Sequence, residues 1–381
     1  MRLAAALMTI ALLSVAPVTH AGQAKAGAAD LAEVASTRLR HETGLALLDG
    51  APFSGVAVTR YPGGALATRE TWIAGRRHGL SIGWHENGSL AAMRRYASGE
   101  KDGVHAGWWR DGRERYRMRF ENGRLQGESL EWYDNGVLST KLAYVDGRQS
   151  GLQAGWDRSG KQRFAYAMRD GRRYGVVDST PCAEPATAAA SKSDDALPTY
   201  DDATLTPRWK ADRKAGAASH RVALEGLRDQ SGRAIGTPAL DGRITVVNFF
   251  FTGCGNVCPV SMRLLKDTRD ALRQSGISPG FISITVAPLQ DSVGALADYA
   301  KRNGLDDGWR LATGDAKSIE SQAKSELFSD IGTAADAARH TELVFLLDGG
   351  RRIRGVYNAT QPADLKRLAE DVRVLQAAAR A

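Results

Sequence analysis

The sequence predicts two folds in one chain: an N-terminal all-β domain of repeated hairpins, and a C-terminal α/β domain whose mixed sheet carries helices on both faces. Three observations lead there. Glycines and aromatics recur every 24 residues from Ala51 to Val176. Between residues 177 and 196 the composition shifts to Ala, Ser, Thr, Pro and Asp, as in a flexible linker. From Leu197 to Ala381, continuous apolar strands alternate with segments of helical spacing, the pattern of an α/β domain. A length of 381 residues also exceeds what one ordinary domain holds.

Residues 1–21 stand apart. Arg2 precedes an apolar run from Leu3 to Val15, and Thr19-His20-Ala21 offers the small residues that a signal peptidase reads. This predicts a secretory signal peptide cleaved near Ala21, too short to be read as a membrane span. The expected compartment is the periplasm, and with no cysteine at the cleavage site no lipid anchor is expected there. Only three cysteines occur, Cys182, Cys254 and Cys258. That is too few for a disulfide scaffold. Two of them lie four residues apart and point to chemistry. Cys182 lies in the linker, where pairing with another chain and an incidental thiol are both open.

The repeat begins with Gly55, Gly79, Gly103, Gly127, Gly151 and Gly175, and a second series runs Gly75, Gly99, Gly123, Gly147 and Gly171. Trp84, Trp108, Trp132 and Trp156 keep the same step, and Trp72, Tyr96, Phe120 and Tyr144 hold another position. Asn87-Gly88, Asp111-Gly112 and Asn135-Gly136 are dipeptides that close tight turns between short β-rich segments. One hairpin cannot bury its aromatic face alone, so the units are expected to stack into an elongated antiparallel sheet. The residues resemble MORN-type repeats of bacterial exported proteins, a resemblance that implies a contact surface without catalysis. His78, His85 and His105 fall at different places in the unit and read as surface histidines.

Charge concentrates in the same region. Between Ala51 and Val176 there are 21 Lys or Arg against 13 Asp or Glu, so the formal net charge of +8 resides there. A basic face attracts anionic lipid, nucleic acid or acidic protein. For an exported chain, lipid or protein is the expected partner and nucleic acid is not. A merely solvated basic face is equally open.

In the C-terminal part, Ile244–Phe251 reads as a strand buried on both faces. Pro259 stands at a helix start that reaches Gln274, where its missing N–H is no loss. Phe281–Val286 and Val293–Arg302 follow as strand and helix, residues 342–347 and 353–357 as a hairpin, and residues 362–379 as a closing helix. Strand, cysteine motif, helix, strand, helix, hairpin, helix is a thioredoxin-like order.

Cys254-Gly255-Asn256-Val257-Cys258-Pro259 sits at the strand-to-helix junction. The helix start favours thiolate over thiol. Four helical positions place the two Cα atoms about 6 Å apart, which permits either a disulfide or shared metal binding. Two thiolates with one imidazole suit Cu(I), whereas structural zinc takes four protein ligands. The domain has two histidines, His220 and His340. His340 precedes a strand whose leading loop faces the cysteine motif in thioredoxin folds. His220 reads as a surface or turn residue.

The segment Val247-Asn248-Phe249-Phe250-Phe251-Thr252-Gly253-Cys254 through Cys258-Pro259 resembles the Sco/SenC signature, and Leu197-Pro198 to Trp209 resembles the start of that family's domain. The resemblance covers residues 197–381 and implies copper, Cu(I) or Cu(II), on Cys254, Cys258 and His340. It further implies a metallochaperone, not an enzyme, whose partners are a copper-accepting protein such as a cytochrome c oxidase subunit and a thiol reductant. The family's Val-Asp-Pro is Val286-Ala287-Pro288 here, so a carboxylate is replaced by a methyl group, while Asp291 matches a later acidic position. Two other readings stay open: a thiol–disulfide oxidoreductase with Cys254 and Cys258 as its catalytic pair, and an adaptor acting mainly through the repeats.

Overall fold

A computed structural model of the chain describes residues 33–176, 196–212, 218–254, 257–333 and 341–380. The expected signal peptide, the linker from Val177 to Asp195 with Cys182, and His340 lie outside the described residues. Among these residues, no helix is long and apolar enough to cross a membrane.

The N-terminal region is all β. Its main sheet has 15 strands, joined mostly by antiparallel neighbours in chain order from Gly55–Arg60 to Arg172–Val176. Glu33–Ala35 adds to the first of these in parallel. Register slips at Arg60, Trp84, Trp108, Trp132 and Trp156, each 24 residues from the last. Bulges of this kind bend a strand and strengthen its twist. At Asn87-Gly88 and Asn135-Gly136 only the glycine takes positive φ. The return turns, such as Ser98-Gly99 and Asp146-Gly147, hold both residues there, the arrangement of primed two-residue turns. A separate sheet of three short strands, Arg40–Glu42, Leu45–Leu48 and Ala51–Pro52, lies between Glu33–Ala35 and Gly55–Arg60 in the chain. It helps bury Trp72 with Leu39, Ala46 and Phe53.

The C-terminal region is α/β. Its strands are β1 (Leu227–Asp229), β2 (Ala234–Ile235), β3 (Thr245–Phe250), β4 (Gly280–Thr285), β5 (Trp309–Thr313), β6 (Leu343–Leu347) and β7 (Ile353–Asn358); its helices are α1 (Val257–Gln274), α2 (Val293–Arg302), α3 (Ala316–Glu326) and α4 (Pro362–Ala378). Sheet order is β2-β1-β5-β4-β3-β6-β7. β3, β4 and β5 run parallel and the outer pairs antiparallel, so the sheet is mixed. Alternate residues of β3 enter two cores. Val246 and Phe250 pack with side chains of α1, α2 and α4; Val247 and Phe249 pack with Ile319 and Ala323 of α3 and with Tyr200, Val222 and Leu224. This is a thioredoxin-like mixed sheet with helices on both faces. α3, β5 and the β1–β2 hairpin are additions to the elements expected from sequence.

The two regions touch. The Arg172–Val176 strand packs against β7, and Tyr174 joins the core beneath α1 and α4.

Candidate metal centre

β3 fixes the position of the cysteine motif. All six of its residues are buried, and it is bonded to β4 on one side and β6 on the other. The chain leaves it through Phe251-Thr252-Gly253-Cys254 and resumes regular structure at Val257, the first residue of α1. Cys254 is half-buried, and Cys258, in the first turn of α1, is only 2% exposed. Both stand as thiols. The Cys258 amide donates to Cys254 Sγ at 3.4 Å, so a helix-start N–H turns its positive end to that sulfur.

Cys258 lies deeper. Burial, then its neighbour Cys254, push its thiol up to about 12. The helix start alone predicts the opposite sense, and here desolvation outweighs it. A soft metal reverses that balance, because thiols ligate as thiolates and lose their protons on binding. Next to the pair, Tyr299 of α2 packs at a tilt against Phe250 with ring centres 5.5 Å apart. Burial, followed by the two cysteines, pushes its hydroxyl to about 12.

Asp291 anchors the loop from beneath. It is fully buried and accepts from the Thr252 amide at 3.1 Å, from the Thr252 hydroxyl, and from the Thr285 hydroxyl at the end of β4. The Thr285 hydroxyl oxygen in turn accepts from the Ala287 amide at 3.0 Å. Ala287 itself is 3% exposed, so its methyl group sits in a closed environment. One carboxylate therefore ties the residues leading to Cys254 to the neighbouring strand. Sequence spacing brings Asp291 only to a matching position; its bonds come from strand pairing.

Cys254 and Cys258 are brought together as the sequence suggests. For His340, which lies outside the described residues, the described neighbours fix only the approach. Val344 pairs with Asn248 and Leu347 with Thr245, so the chain enters β6 at the end of β3 that carries the cysteine loop. Among the described residues no group of three His, Cys, Asp or Glu is placed to hold a metal. His220 is structural: its Nε2 lies 2.8 Å from the Glu326 carbonyl and its ring packs at a tilt against Phe328. His105 is a correction to the surface reading, because it is 3% exposed between Tyr96 and Phe120.

Residues 226–376 match the family model SCO1/SenC. A SCO1 protein homolog of Bacillus subtilis is 23% identical over 151 residues, which are 39% of this chain and 78% of that protein. An SCO2-like protein of Rickettsia prowazekii is 32% identical over 75 residues, 20% of this chain and 37% of that protein. Among solved structures, a SCO1/SenC family lipoprotein from Bacillus anthracis shares 21% identity at a TM-score of 0.39, over 41% of this chain and 95% of its own. ScoI of Bradyrhizobium japonicum, solved with copper bound, shares 23% at 0.34, over 41% and 99%. With the family match falling on the mixed sheet and its cysteine loop, the C-terminal region of this chain is a Sco/SenC-family domain.

Proposed function

We propose that this domain binds one copper ion on Cys254, Cys258 and His340 and passes it to an acceptor protein outside the cytoplasm. The observation that carries the reading is the sulfur pair at the β3–α1 junction, with the Cys258 amide on Cys254 Sγ, inside a Sco/SenC-family domain. Two thiolates and an imidazole form a soft, three-coordinate donor set that suits Cu(I). The half-buried Cys254 is the sulfur an incoming ligand reaches first, which is what transfer to an acceptor requires. A cytochrome c oxidase subunit is the acceptor class implied by the family, and a thiol reductant keeps the pair competent. In this reading the chain is exported to the periplasm, and the basic N-terminal sheet, read as MORN-type hairpin repeats, is the surface for a protein or anionic-lipid contact.

The test is anaerobic Cu(I) titration of the reduced protein against a competing chelator. One tightly held copper per chain, weakened at least tenfold in His340→Ala, is the expected result. Weak binding that the substitution leaves unchanged would remove the trigonal site.

A second reading is supported by the same contact of the Cys258 amide with Cys254 Sγ. The pair then cycles between dithiol and disulfide, taking two electrons and two protons from a partner dithiol or giving them to a partner disulfide. In that case His340→Ala keeps thiol–disulfide activity and Cys258→Ala abolishes it.

A further inference from the structure

The last unit of the N-terminal sheet differs from the three before it. The first return strand, Arg76–Trp84, runs on through its hairpin, and the three that follow are strands of two residues, Glu100–Lys101, Arg124–Leu125 and Arg148–Gln149. The final return strand runs five residues, Arg172–Val176, and opens Arg172-Arg173-Tyr174. All three side chains serve the other domain. Arg172, 4% exposed, donates through Nη2 to Asp371 Oδ1 of α4 at 2.6 Å, and Tyr357 of β7 donates to the second oxygen of that carboxylate at 2.6 Å. Arg173 Nη2 donates to Asp364 Oδ1 at 3.2 Å, a carboxylate that Arg367 also binds. Tyr174 packs edge-on against Trp209 with ring centres 5.1 Å apart, and the Arg169 guanidinium lies 4.9 Å from the same Trp209 ring. At the margin, Gln162 Nε2 donates to the Thr204 carbonyl at 2.8 Å.

Two buried arginines on one domain therefore face two buried aspartates on the other. Apart, each charge would be hydrated; together, each pair excludes water and admits one geometry. Burying charges is poor design for adhesion, because desolvation offsets much of the attraction. It is effective for selecting a single orientation, since any shifted register leaves a charge buried without its partner. A contact that formed only in passing would have no reason to bury four charged groups and a tyrosine.

We propose that the Arg172–Val176 strand is a built-in ligand for an acidic surface of the Sco/SenC domain formed by β7 and α4, and that it holds the N-terminal sheet and the thiol site as one body. Two consequences follow. A partner seated on the sheet stands at a set distance and angle from Cys254, and the α4–β7 face of the domain is closed to other proteins.

The test uses the full chain with a protease site introduced between residues 185 and 190. After cleavage, the two fragments of the otherwise unaltered protein are expected to co-elute in gel filtration at micromolar concentration. In Arg172→Ala/Arg173→Ala they are expected to separate, with affinity lowered at least a hundredfold. Fragments of the unaltered protein that separate while each keeps its circular dichroism would overturn the proposal. So would a double variant whose fragments stay together with unchanged affinity. The cleaved unaltered chain decides the matter by itself if the variant fails to fold.

Discussion

His105 sits between the rings of Tyr96 and Phe120 with Nε2 2.7 Å from the Arg95 carbonyl. Burial lowers its pKa, the Arg95 carbonyl opposes that, and Lys101 and Arg94 add to the fall while Asp102 resists it. A histidine whose folded pKa lies below the ordinary value of about 6.5 contributes stability that is fully present above that value and is lost as pH falls through the folded one. The melting temperature is therefore expected to fall between pH 7.5 and pH 5 by an amount that His105→Phe removes, as read by calorimetry on both proteins. At this scale the two cysteines were legible because four-residue spacing before a helix is local. The burial of His105 was not, because its neighbours come from two adjoining hairpins. Nor was the raised thiol of Cys258, which reflects the depth of α1 in the core and not the helix start.

At the scale of elements, the turn between β4 and α2 governs the cysteine loop although it contains neither cysteine. Removing the Asp291 carboxylate strands the Thr252 amide and two hydroxyls inside the domain. Each abandoned donor costs about 1–3 kcal/mol. Asp291→Ala is expected to lower stability by roughly 3 kcal/mol, measured by urea unfolding, and to weaken Cu(I) binding about tenfold through misplacement of Cys254. β3, α1, α2 and α4 could be read from the sequence because their apolar patterns are continuous or regular. α3 could not: only Ile319 and Ala323 of its eleven residues are buried, too thin a stripe to stand out, and its start is set by the Asp315 side chain capping Ser318 N. β5 was hidden by Arg310, the second residue of Trp309–Thr313. The turns at Asn87-Gly88 and Asn135-Gly136 were visible, yet the doubly positive φ belongs to the return turns, two of which, at Ala74 and Ser98, carry no strong turn signal.

For the whole molecule, the period of 24 pointed to the all-β region that the main sheet forms. The contact between domains was invisible, because nothing in Arg172-Arg173 tells a solvated pair from a buried one; only the positions of Asp364 and Asp371, nearly 200 residues away, make the difference. Removal of one member of a buried ion pair typically costs about 3–5 kcal/mol. Calorimetry of the intact chain should accordingly show one thermal transition, and Arg172→Ala should split it into two. A single unchanged peak in the variant would mean that the domains melt together for another reason. The same strand has a bearing on solubility. A sheet of 15 strands has two ends, and an open end with unused N–H and C=O groups recruits strands from other molecules. Here one end finishes in the three-residue Glu33–Ala35 segment, too short to template much, and the other is seated against β7. Detaching the arginine strand would therefore expose an aggregation-prone edge, so loss of the interdomain contact should first become visible as fibrous or amorphous precipitate on storage.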